Sequence, residues 1–218
     1  MSASANTLVI NEIFFSIQGE STRAGQPCVF VRLTGCDLRC SWCDTAYAFE
    51  EGSEMSFDEI LAKVKSYNCK LVEITGGEPL AQENVLLLMK QLCDAGYNVM
   101  IETGGHRDIT KIDPRVKRIM DIKCPGSKME KRNRWENIPL LTANDEIKFV
   151  LSDEADYEWA KQIMQQYQLP SRCTILFSPV FGSLNNRELA EWMLRDNVKA
   201  TYQLQLHKYI WDPTTRGV

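Results

Sequence analysis

Gly35-Cys36-Asp37-Leu38-Arg39-Cys40-Ser41-Trp42-Cys43-Asp44 follows an apolar run and spaces three cysteines as C-x3-C-x2-C. Three thiolates this close together can hold a cubane iron–sulfur cluster, which has four irons. Three protein ligands leave one iron with an open coordination position, and an open position distinguishes a reactive metal centre from a structural one. The spacing therefore predicts an enzyme with an iron–sulfur cluster on Cys36, Cys40 and Cys43.

Other uses of these cysteines fit the sequence less well. Half of a zinc site would need further ligands, but the chain has only two histidines and no second C-x2-C pair. A disulfide framework is not needed, because 218 residues can bury a core and no secretory signal is visible. The five cysteines outside the loop are expected to be structural: Cys28, Cys69, Cys93, Cys124 and Cys173.

The composition is that of a globular protein, with 44% hydrophobic residues, 25% charged residues and a net charge of −4. The length predicts one domain, residues 1–218. The weak negative charge argues against a nucleic-acid partner, and no apolar run approaches the roughly 18 residues that cross a membrane. We expect a soluble cytoplasmic protein, because reducing conditions suit eight cysteines in a chain without a signal peptide.

Short apolar runs predict seven strands, and near-continuous runs of this kind are typical of parallel sheets buried on both faces. The predicted strands are Cys28–Leu33, Leu71–Thr75, Asn98–Thr103, Arg118–Ile122, Glu146–Leu151, Cys173–Phe177 and Tyr202–Leu206. Four helices are predicted. The first begins at the capping box Ser56–Glu59 and the third begins at Ser152–Glu154, while the second and the fourth span Glu83–Ala95 and Asn186–Arg195.

Alternating strands and helices predict an α/β fold. The connection from Thr103 to Arg118 is short and contains Pro114, and residues 124–144 show little helical periodicity. We therefore predict a partial (β/α)6-type barrel whose helical layer is trimmed in the middle. Candidate site residues follow the predicted strands, at the end where barrel enzymes build their active sites. They are the cysteine loop, Gly76–Pro79, Gly104–Gly105, Lys123, Ser178–Pro179 and His207–Lys208.

The cysteine loop with Trp42 before its last cysteine, followed one strand later by Thr75-Gly76-Gly77-Glu78-Pro79, resembles the radical S-adenosylmethionine (SAM) superfamily. The resemblance implies that the open iron binds the amino and carboxylate groups of SAM. One electron then cleaves SAM and releases a 5′-deoxyadenosyl radical. It also implies a set of SAM contacts: Trp42, Cys43, Asp44, Gly77, Glu78, Asp121, Ile122, Lys123 and Ser178.

Finer motifs resemble one family within this superfamily, the 7-carboxy-7-deazaguanine synthases. The matching segments are Ile10–Ser21 (INEIFFSIQGES), Phe30–Cys36 (FVRLTGC), Trp42–Thr45 (WCDT) and Gln205–Tyr209 (QLHKY). This family converts 6-carboxy-5,6,7,8-tetrahydropterin into 7-carboxy-7-deazaguanine with loss of ammonia, on the way to queuosine and related 7-deazapurines. The resemblance also implies a homodimer and an electron donor of the flavodoxin or ferredoxin type.

The resemblance assigns pterin binding to an N-terminal extension of about residues 8–26 and to several strand ends. The implied contacts are Ile17, Gln18, Gly19, Glu20, Arg32, Thr75 and His207. Arg32 would pair with the substrate carboxylate, a role that suits a forked guanidinium. Thr45 would ligate Mg2+, which prefers oxygen ligands and keeps several waters. No catalytic side chain is expected beyond the cluster and the cofactor.

Two segments depart from the family pattern. Asp121-Ile122-Lys123 stands where the family has Ser-Pro-Lys, so that only Lys123 matches by side chain. The tail, residues 207–218, continues beyond the His-Lys motif. Either it folds back, so that Asp212 or the terminus contacts the pterin, or that contact is absent.

Two other functions share part of these motifs. An activating enzyme for glycyl-radical proteins would have the same cysteine loop and Gly-Gly-Glu-Pro turn. A non-catalytic iron–sulfur or zinc module would need the cysteines alone. The segments Gln18–Glu20 and Asp44–Thr45 favour the pterin enzyme.

Overall fold

The computed structural model describes residues 6–218. Residues 1–5 lie outside the described residues. They include the start of the predicted domain 1–218 and part of the segment in which we expect no secretory signal. Among residues 6–218, no helix is both long enough and apolar enough to span a membrane. All eight cysteines are free, and Cys28 and Cys124 are fully buried, as expected for structural residues.

The described residues form one sheet of nine strands. These are β1 (Thr7–Ile17), β2 (Pro27–Leu33), β3 (Ser53–Ser56), β4 (Leu71–Gly76), β5 (Asn98–Thr103), β6 (Lys117–Asp121), β7 (Glu146–Leu151), β8 (Thr174–Pro179) and β9 (Thr201–Tyr202). The spatial order is β3-β1-β2-β4-β5-β6-β7-β8-β9, parallel from β2 to β9 and antiparallel at β1 and β3. The two end strands do not pair, so the sheet is an open, partial barrel, as predicted.

The helical layer is uneven. The helices are α1 (Phe57–Ser66), α2 (Val85–Asp94), α3 (Glu154–Gln166), α4 (Asn186–Asp196) and the short α5 (His207–Ile210). α1 begins at the predicted capping box, in which Ser56 and Glu59 each accept a hydrogen bond from the other's backbone N–H. No helix lies between β5 and β6, and only 3-10 turns lie between β6 and β7. The predicted trimming of the middle is confirmed.

Successive side chains of a strand point to opposite faces, so each parallel strand contributes to two environments. On β4, Val72 and Ile74 belong to the main hydrophobic core that includes α1 and α2. Glu73, between them, is also buried but faces the inside of the barrel. The same sheet thus stabilises the fold with one face and builds a polar interior with the other.

The structure corrects the predicted strands at both edges of the sheet. The last strand ends at Tyr202 instead of continuing to Leu206, because the next residues bond into the barrel. Gln203 and Gln205 donate side-chain hydrogen bonds to Glu20, and the Leu206 N–H donates to the Gly19 carbonyl. The sequence also missed the two antiparallel strands: β1, which runs back along β2 until Ile17 pairs with Pro27, and β3, which pairs with β1.

Candidate active site at the carboxyl ends of the strands

A cavity of about 550 Å3 opens at the carboxyl ends of the parallel strands. This volume suits a small-molecule site. All but two of the ligands and contacts that the resemblance implies line it: Ile17, Gln18, Gly19, Glu20, Arg32, Cys36, Cys40, Trp42, Cys43, Asp44, Thr45, Thr75, Gly77, Glu78, Asp121, Lys123 and His207. Ile122 and Ser178 do not line it; both side chains are buried, and Ser178 lies within β8 instead of after it.

The three loop cysteines are free, half-buried and face this cavity. Burial raises the pKa of the Cys36 and Cys40 thiols, and the nearby Lys123 ammonium acts in the opposite direction. The Leu38 N–H donates to the Cys36 sulfur at 3.4 Å. Three thiols on one cavity wall, beside a cation and a backbone N–H, fit the needs of an anionic iron–sulfur cluster.

Neighbouring loops fix the position of the cysteine loop. The Glu78 N–H donates to the Gly35 carbonyl at 2.7 Å, next to Cys36. A Cβ atom at Gly77 would collide with that same carbonyl oxygen, so only glycine permits this close approach. On the other side, Ser41 donates its hydroxyl to the Gly126 carbonyl at 2.7 Å. Loops after β4 and β6 therefore hold the cysteines from both sides.

Glu78 is almost fully buried, and protein donors already satisfy its carboxylate. Thr103 Oγ1 donates to both carboxylate oxygens at 2.9 and 3.0 Å, and the Gly104 N–H donates to Oε2 at 2.8 Å. The Leu80 N–H donates to Oε1 at 3.0 Å, which caps the turn that follows. Glu78 thus ties the β4 and β5 loops together at the edge of the cavity.

A buried charge cluster forms the floor of the cavity, and we call Glu20, Glu73, Glu102, Asp121 and Lys148 the charged floor. Lys148 Nζ lies 2.8 Å from Glu20, 2.6 Å from Glu102 and 3.6 Å from Asp121. Burial alone would lower the pKa of Lys148, but these carboxylates raise it well above its ordinary value. The ammonium is therefore held charged in the barrel interior.

Glu73 also belongs to the charged floor, but its surroundings favour its neutral form, whereas those of Lys148 favour the charged form. Burial, with added repulsion from Glu102 and Glu20, raises its pKa well above the ordinary value. Gln18 donates a short hydrogen bond from Nε2 to Glu73, while its Oε1 accepts the Glu20 N–H at 3.0 Å. The orientation of the Gln18 amide is consequently fixed by its two neighbours.

Sequence reasoning missed Glu73, Glu102 and Lys148 as site residues. Glu73 and Lys148 interrupt the apolar runs of β4 and β7, where an unpaired charge would be costly. That interruption was a usable signal, and Arg32 interrupts the apolar run of β2 in the same way. Arg32 Nε donates to Glu12 at 2.8 Å, and its guanidinium lies 5.7 Å from the Phe14 ring.

His207 and Gly19 meet in the lining of the cavity. A Cβ atom at Gly19 would collide with Nδ1 of His207, so glycine is required for the ring to lie there. Burial lowers the pKa of His207, which favours the neutral imidazole. At the rim, Lys208 Nζ contacts Asp44 at 2.6 Å and Gln205 Nε2 contacts it at 3.2 Å.

The tail, residues 207–218, folds back onto the cavity. Pro213 and Val218 line it, and Arg216 holds the tail by a 2.7 Å ion pair with Glu51. Asp212 does not line the cavity; its carboxylate accepts hydrogen bonds from Thr214. The tail thus folds back with Val218, and not Asp212, at the cavity, and its contact with the pterin stays a prediction.

The sequence profile of the Radical SAM superfamily matches residues 30–194. The 7-carboxy-7-deazaguanine synthase of Chlorobaculum tepidum is 49% identical over 214 residues, 97% of each chain. The synthase of the same name from Koribacter versatilis is 46% identical and covers 96% of this chain and 99% of its own. The chain belongs to the 7-carboxy-7-deazaguanine synthase family. The sequence prediction of a radical SAM enzyme of this family is confirmed.

A solved structure supports the fold. QueE from Escherichia coli superposes with a TM-score of 0.76 at 23% identity, covering 95% of this chain and 100% of that one. Membership of the superfamily implies a [4Fe-4S] cluster and SAM, and the three thiols in one cavity wall fit that requirement.

Proposed function

We propose that the protein converts 6-carboxy-5,6,7,8-tetrahydropterin into 7-carboxy-7-deazaguanine with loss of ammonia. The observation that carries this proposal is one cavity lined by both residue sets: Cys36, Cys40 and Cys43, and Gln18 with Arg32. The names of the relatives, identical to this chain at nearly half of its positions, support the same reaction.

Cys36, Cys40 and Cys43 would hold the cluster, which supplies the electron that splits SAM into methionine and a 5′-deoxyadenosyl radical. Trp42, Asp44 and the backbone at Gly77 would bind and orient SAM on this wall. Glu78 would act mainly by fixing the loop, since its carboxylate is already bonded within the protein.

The segment 121–123 and Ser178 would complete the SAM wall. Asp121 and Lys123 contact each other at 2.5 Å, and both line the cavity. SAM would contact Ile122 and Ser178 through their backbone groups, or would contact the residues next to them instead. The reason is that neither side chain lines the cavity.

The pterin would lie over the charged floor. Arg32, about one-seventh exposed, would pair with the substrate carboxylate. Ile17, Gln18, Gly19 and Glu20 would frame the ring from the extension, residues 8–26. The amino and imino donors of a 2-amino-4-oxopyrimidine match the carboxylates beneath it. Thr75 on β4 and His207 on α5 would bind the ring from the remaining sides.

Mg2+ would take only one ligand from the protein. Thr45 lines the cavity, and its hydroxyl has just a weak contact with the Cys43 sulfur at 3.8 Å. Within residues 6–218, no three His, Cys, Asp or Glu side chains converge on a point where they could hold a metal ion. Substrate oxygens and water would supply the remaining ligands, as is usual for Mg2+.

The wider setting follows from the family resemblance. The product would serve the synthesis of queuosine and other 7-deazapurines used in tRNA modification. A homodimer in the cytoplasm, reduced by a flavodoxin or ferredoxin, remains our prediction.

Anaerobic turnover with the pterin, SAM, Mg2+ and dithionite tests this function. We expect 7-carboxy-7-deazaguanine to form only when the pterin is present. A fully loaded cluster that yields neither the product nor 5′-deoxyadenosine would instead favour a non-catalytic redox module. Radical transfer to a protein backbone without pterin turnover would favour a glycyl-radical activating enzyme.

Arg32→Lys tests the pairing with the substrate carboxylate. A lysine keeps the charge but loses the forked geometry, so we expect the pterin KM to rise by about 10–100-fold. Arg187→Lys is the matched control, because Arg187 is highly exposed on α4 and pairs with Glu191 of the same helix. An unchanged KM in the Arg32 variant would contradict the assignment.

A further inference from the structure

The proposed reaction needs a proton donor as well as a radical. Its product and ammonia together have the composition of the substrate, so the nitrogen leaves without any net oxidation or reduction. An uncharged amine leaves carbon as ammonia only when it takes up a proton in the same step. The cluster and SAM supply an electron and a radical, and neither supplies this proton. A side chain in the cavity that holds an available proton would meet the need.

Glu73 differs from the other carboxyl groups of the charged floor because it has no cationic partner. Glu20 and Glu102 contact Lys148 at 2.8 and 2.6 Å, and Asp121 contacts a lysine of its own at 2.5 Å. Glu73 forms no ion pair with any of residues 6–218, although it is almost fully buried. An unpaired carboxylate inside a protein is costly, so this side chain is the one expected to keep its proton.

The two oxygens of Glu73 have different surroundings. Oε2 accepts the hydrogen bond from Gln18, so the proton of the neutral acid belongs on Oε1. Within residues 6–218, Oε1 makes no hydrogen bond, and it is not completely enclosed by protein atoms. Because the side chain lines the cavity, its free O–H can be offered to a bound molecule. Gln18 thus leaves one oxygen of Glu73 available for chemistry.

Other buried side chains of the cavity are less suited to donate a proton. Burial would lower the pKa of Lys123 and of Lys148, but nearby carboxylates raise both, so neither ammonium gives up a proton readily. Burial lowers the pKa of His207 and favours its neutral ring. Burial raises the pKa of Glu102, but the attraction of Lys148 acts against it. For Glu73, burial and the repulsion of neighbouring carboxylates both raise the pKa.

We infer that Glu73 is the general acid that protonates the departing nitrogen of the pterin. The carbon–nitrogen bond breaks, its electron pair leaves with the nitrogen, and the proton from Glu73 completes the ammonia. A neighbouring ring atom loses a proton to water, and the electron pair of that bond forms the new double bond. Glu73 then recovers a proton from water. The inference rests on the proposed function, because only that reaction releases ammonia in this cavity.

Single turnover with rapid quenching of the reconstituted enzyme tests the inference. SAM cleavage is followed as the first appearance of 5′-deoxyadenosine, and elimination is followed as ammonia. Glu73→Gln keeps the size of the side chain and the hydrogen bond from Gln18, but has no acidic proton. Glu73→Asp keeps an acid on a shorter side chain. Glu83→Gln makes the same change as the first variant at an exposed position and serves as the control.

We expect Glu73→Gln to cleave SAM within about threefold of the wild-type rate and to release ammonia at least about 100-fold more slowly. An isomer of the substrate, with the same mass and a different retention time, should accumulate. Glu73→Asp should recover part of the ammonia release, and Glu83→Gln should match wild type in both steps. Ammonia release at the wild-type rate in Glu73→Gln would overturn the inference. An equal loss of both steps would show a structural role and would also overturn it.

The pH dependence of the wild-type enzyme gives a second test that needs no substitution. The charged and titratable groups around Glu73 are Glu20 after β1, Cys28 on β2, Glu102 on β5, Asp121 on β6 and Lys148 on β7. A general acid works in its protonated form, so ammonia release should fall as the pH rises through the pKa of Glu73, measured from about pH 6 to about pH 9. SAM cleavage should not follow this fall. Parallel profiles for the two steps would overturn the inference.

The same measurements separate this inference from the proposed function. If wild type with a full cluster forms neither 7-carboxy-7-deazaguanine nor ammonia from the pterin, the proposed function fails, and the role of Glu73 fails with it. If wild type forms both, and Glu73→Gln forms both equally fast, the function stands and only the role of Glu73 is refuted.

Discussion

The two faces of the parallel sheet differ although they are built from alternate residues of the same strands. On β7, Ile147 and Phe149 are fully buried in the core that the helices cover. Lys148, between them, lies in the charged floor and contacts Glu20 and Glu102. One face holds the fold together by apolar burial, and the other keeps charges away from water.

This difference shows where stability and chemistry are located in the molecule. Buried ion pairs contribute little net stability, because desolvation offsets their attraction. Apolar packing contributes steadily, at about 25 cal/mol per Å2 of buried surface. Substitutions on the outer face should therefore change stability more than chemistry. Substitutions on the inner face should change chemistry, and should change stability only where they leave a charge unbalanced.

Cysteines provide the sharpest test of the contrast. Cys40→Ala should abolish cluster binding and turnover, because Cys40 faces the cavity between the other two thiols of the loop. Cys93→Ala should leave both nearly intact, because Cys93 lies on α2 and packs against the outer core. Iron content and the visible absorption of reconstituted protein give the measurement. Full activity of Cys40→Ala would refute the ligand assignment.

Removing the cation from the charged floor should have the next largest effect. Lys148→Met leaves Glu20, Glu102 and Asp121 without their shared counterion, and we expect a loss of about 3–5 kcal/mol in the free energy of unfolding. Lys148→Met combined with Glu102→Gln removes one carboxylate charge as well, so the double variant should be less destabilised. Urea denaturation of both variants checks this.

If the single and the double variant were equally destabilised, the loss would come from packing and not from unbalanced charge. Phe149→Leu on the outer face is the matched control at the neighbouring position. It should cost about 1–2 kcal/mol in stability and leave the pterin KM unchanged.

The sequence predicted most of the outer face and less of the inner one. Apolar runs located the parallel strands, because strands that bury both faces need nearly continuous hydrophobicity. They could not show that Glu73 and Lys148 meet charges from other strands, since that pairing depends on barrel curvature. β1 was missed because Asn11 and Glu12 interrupt its apolar residues, although its partner strand β2 was recognised.

The candidate site was predictable where local spacing dictates chemistry. The cysteine loop and Gly76–Gly77 carry their own signal, since three thiols and a close backbone approach need those residue types. The contacts of the tail were not predictable, because the bond between Arg216 and Glu51 joins residues 165 positions apart.

Glu73 should produce a smaller effect, seen in the pH dependence of stability. Its pKa is raised above the ordinary value of 4.5, so the folded state keeps a proton that the unfolded state loses at higher pH. The resulting stability is fully present below 4.5 and declines as the pH rises towards the folded-state pKa, by up to about 1.4 kcal/mol per pH unit.

Glu73→Gln cannot lose this proton and can still accept the hydrogen bond from Gln18, so its decline with pH should be shallower. Denaturation at several values from about pH 5 to about pH 9 measures the slope. Glu83→Gln, at an exposed position, should leave the slope unchanged. Parallel slopes for wild type and Glu73→Gln would show that the buried carboxyl is ionised.

The smallest effect is expected at the rim. Arg216 and Glu51 form an ion pair with about half of each side chain exposed, so Arg216→Ala should cost less than about 1 kcal/mol in stability. The pair also holds the tail that brings Pro213 and Val218 to the cavity. The pterin KM should therefore rise, by no more than about fivefold, the most that 1 kcal/mol can produce. Arg187→Ala breaks a more exposed pair on α4, neither residue of which lines the cavity, and should leave KM unchanged. If both variants kept the wild-type KM, the ion pair would not position the tail, and the inner face alone would bind the substrate.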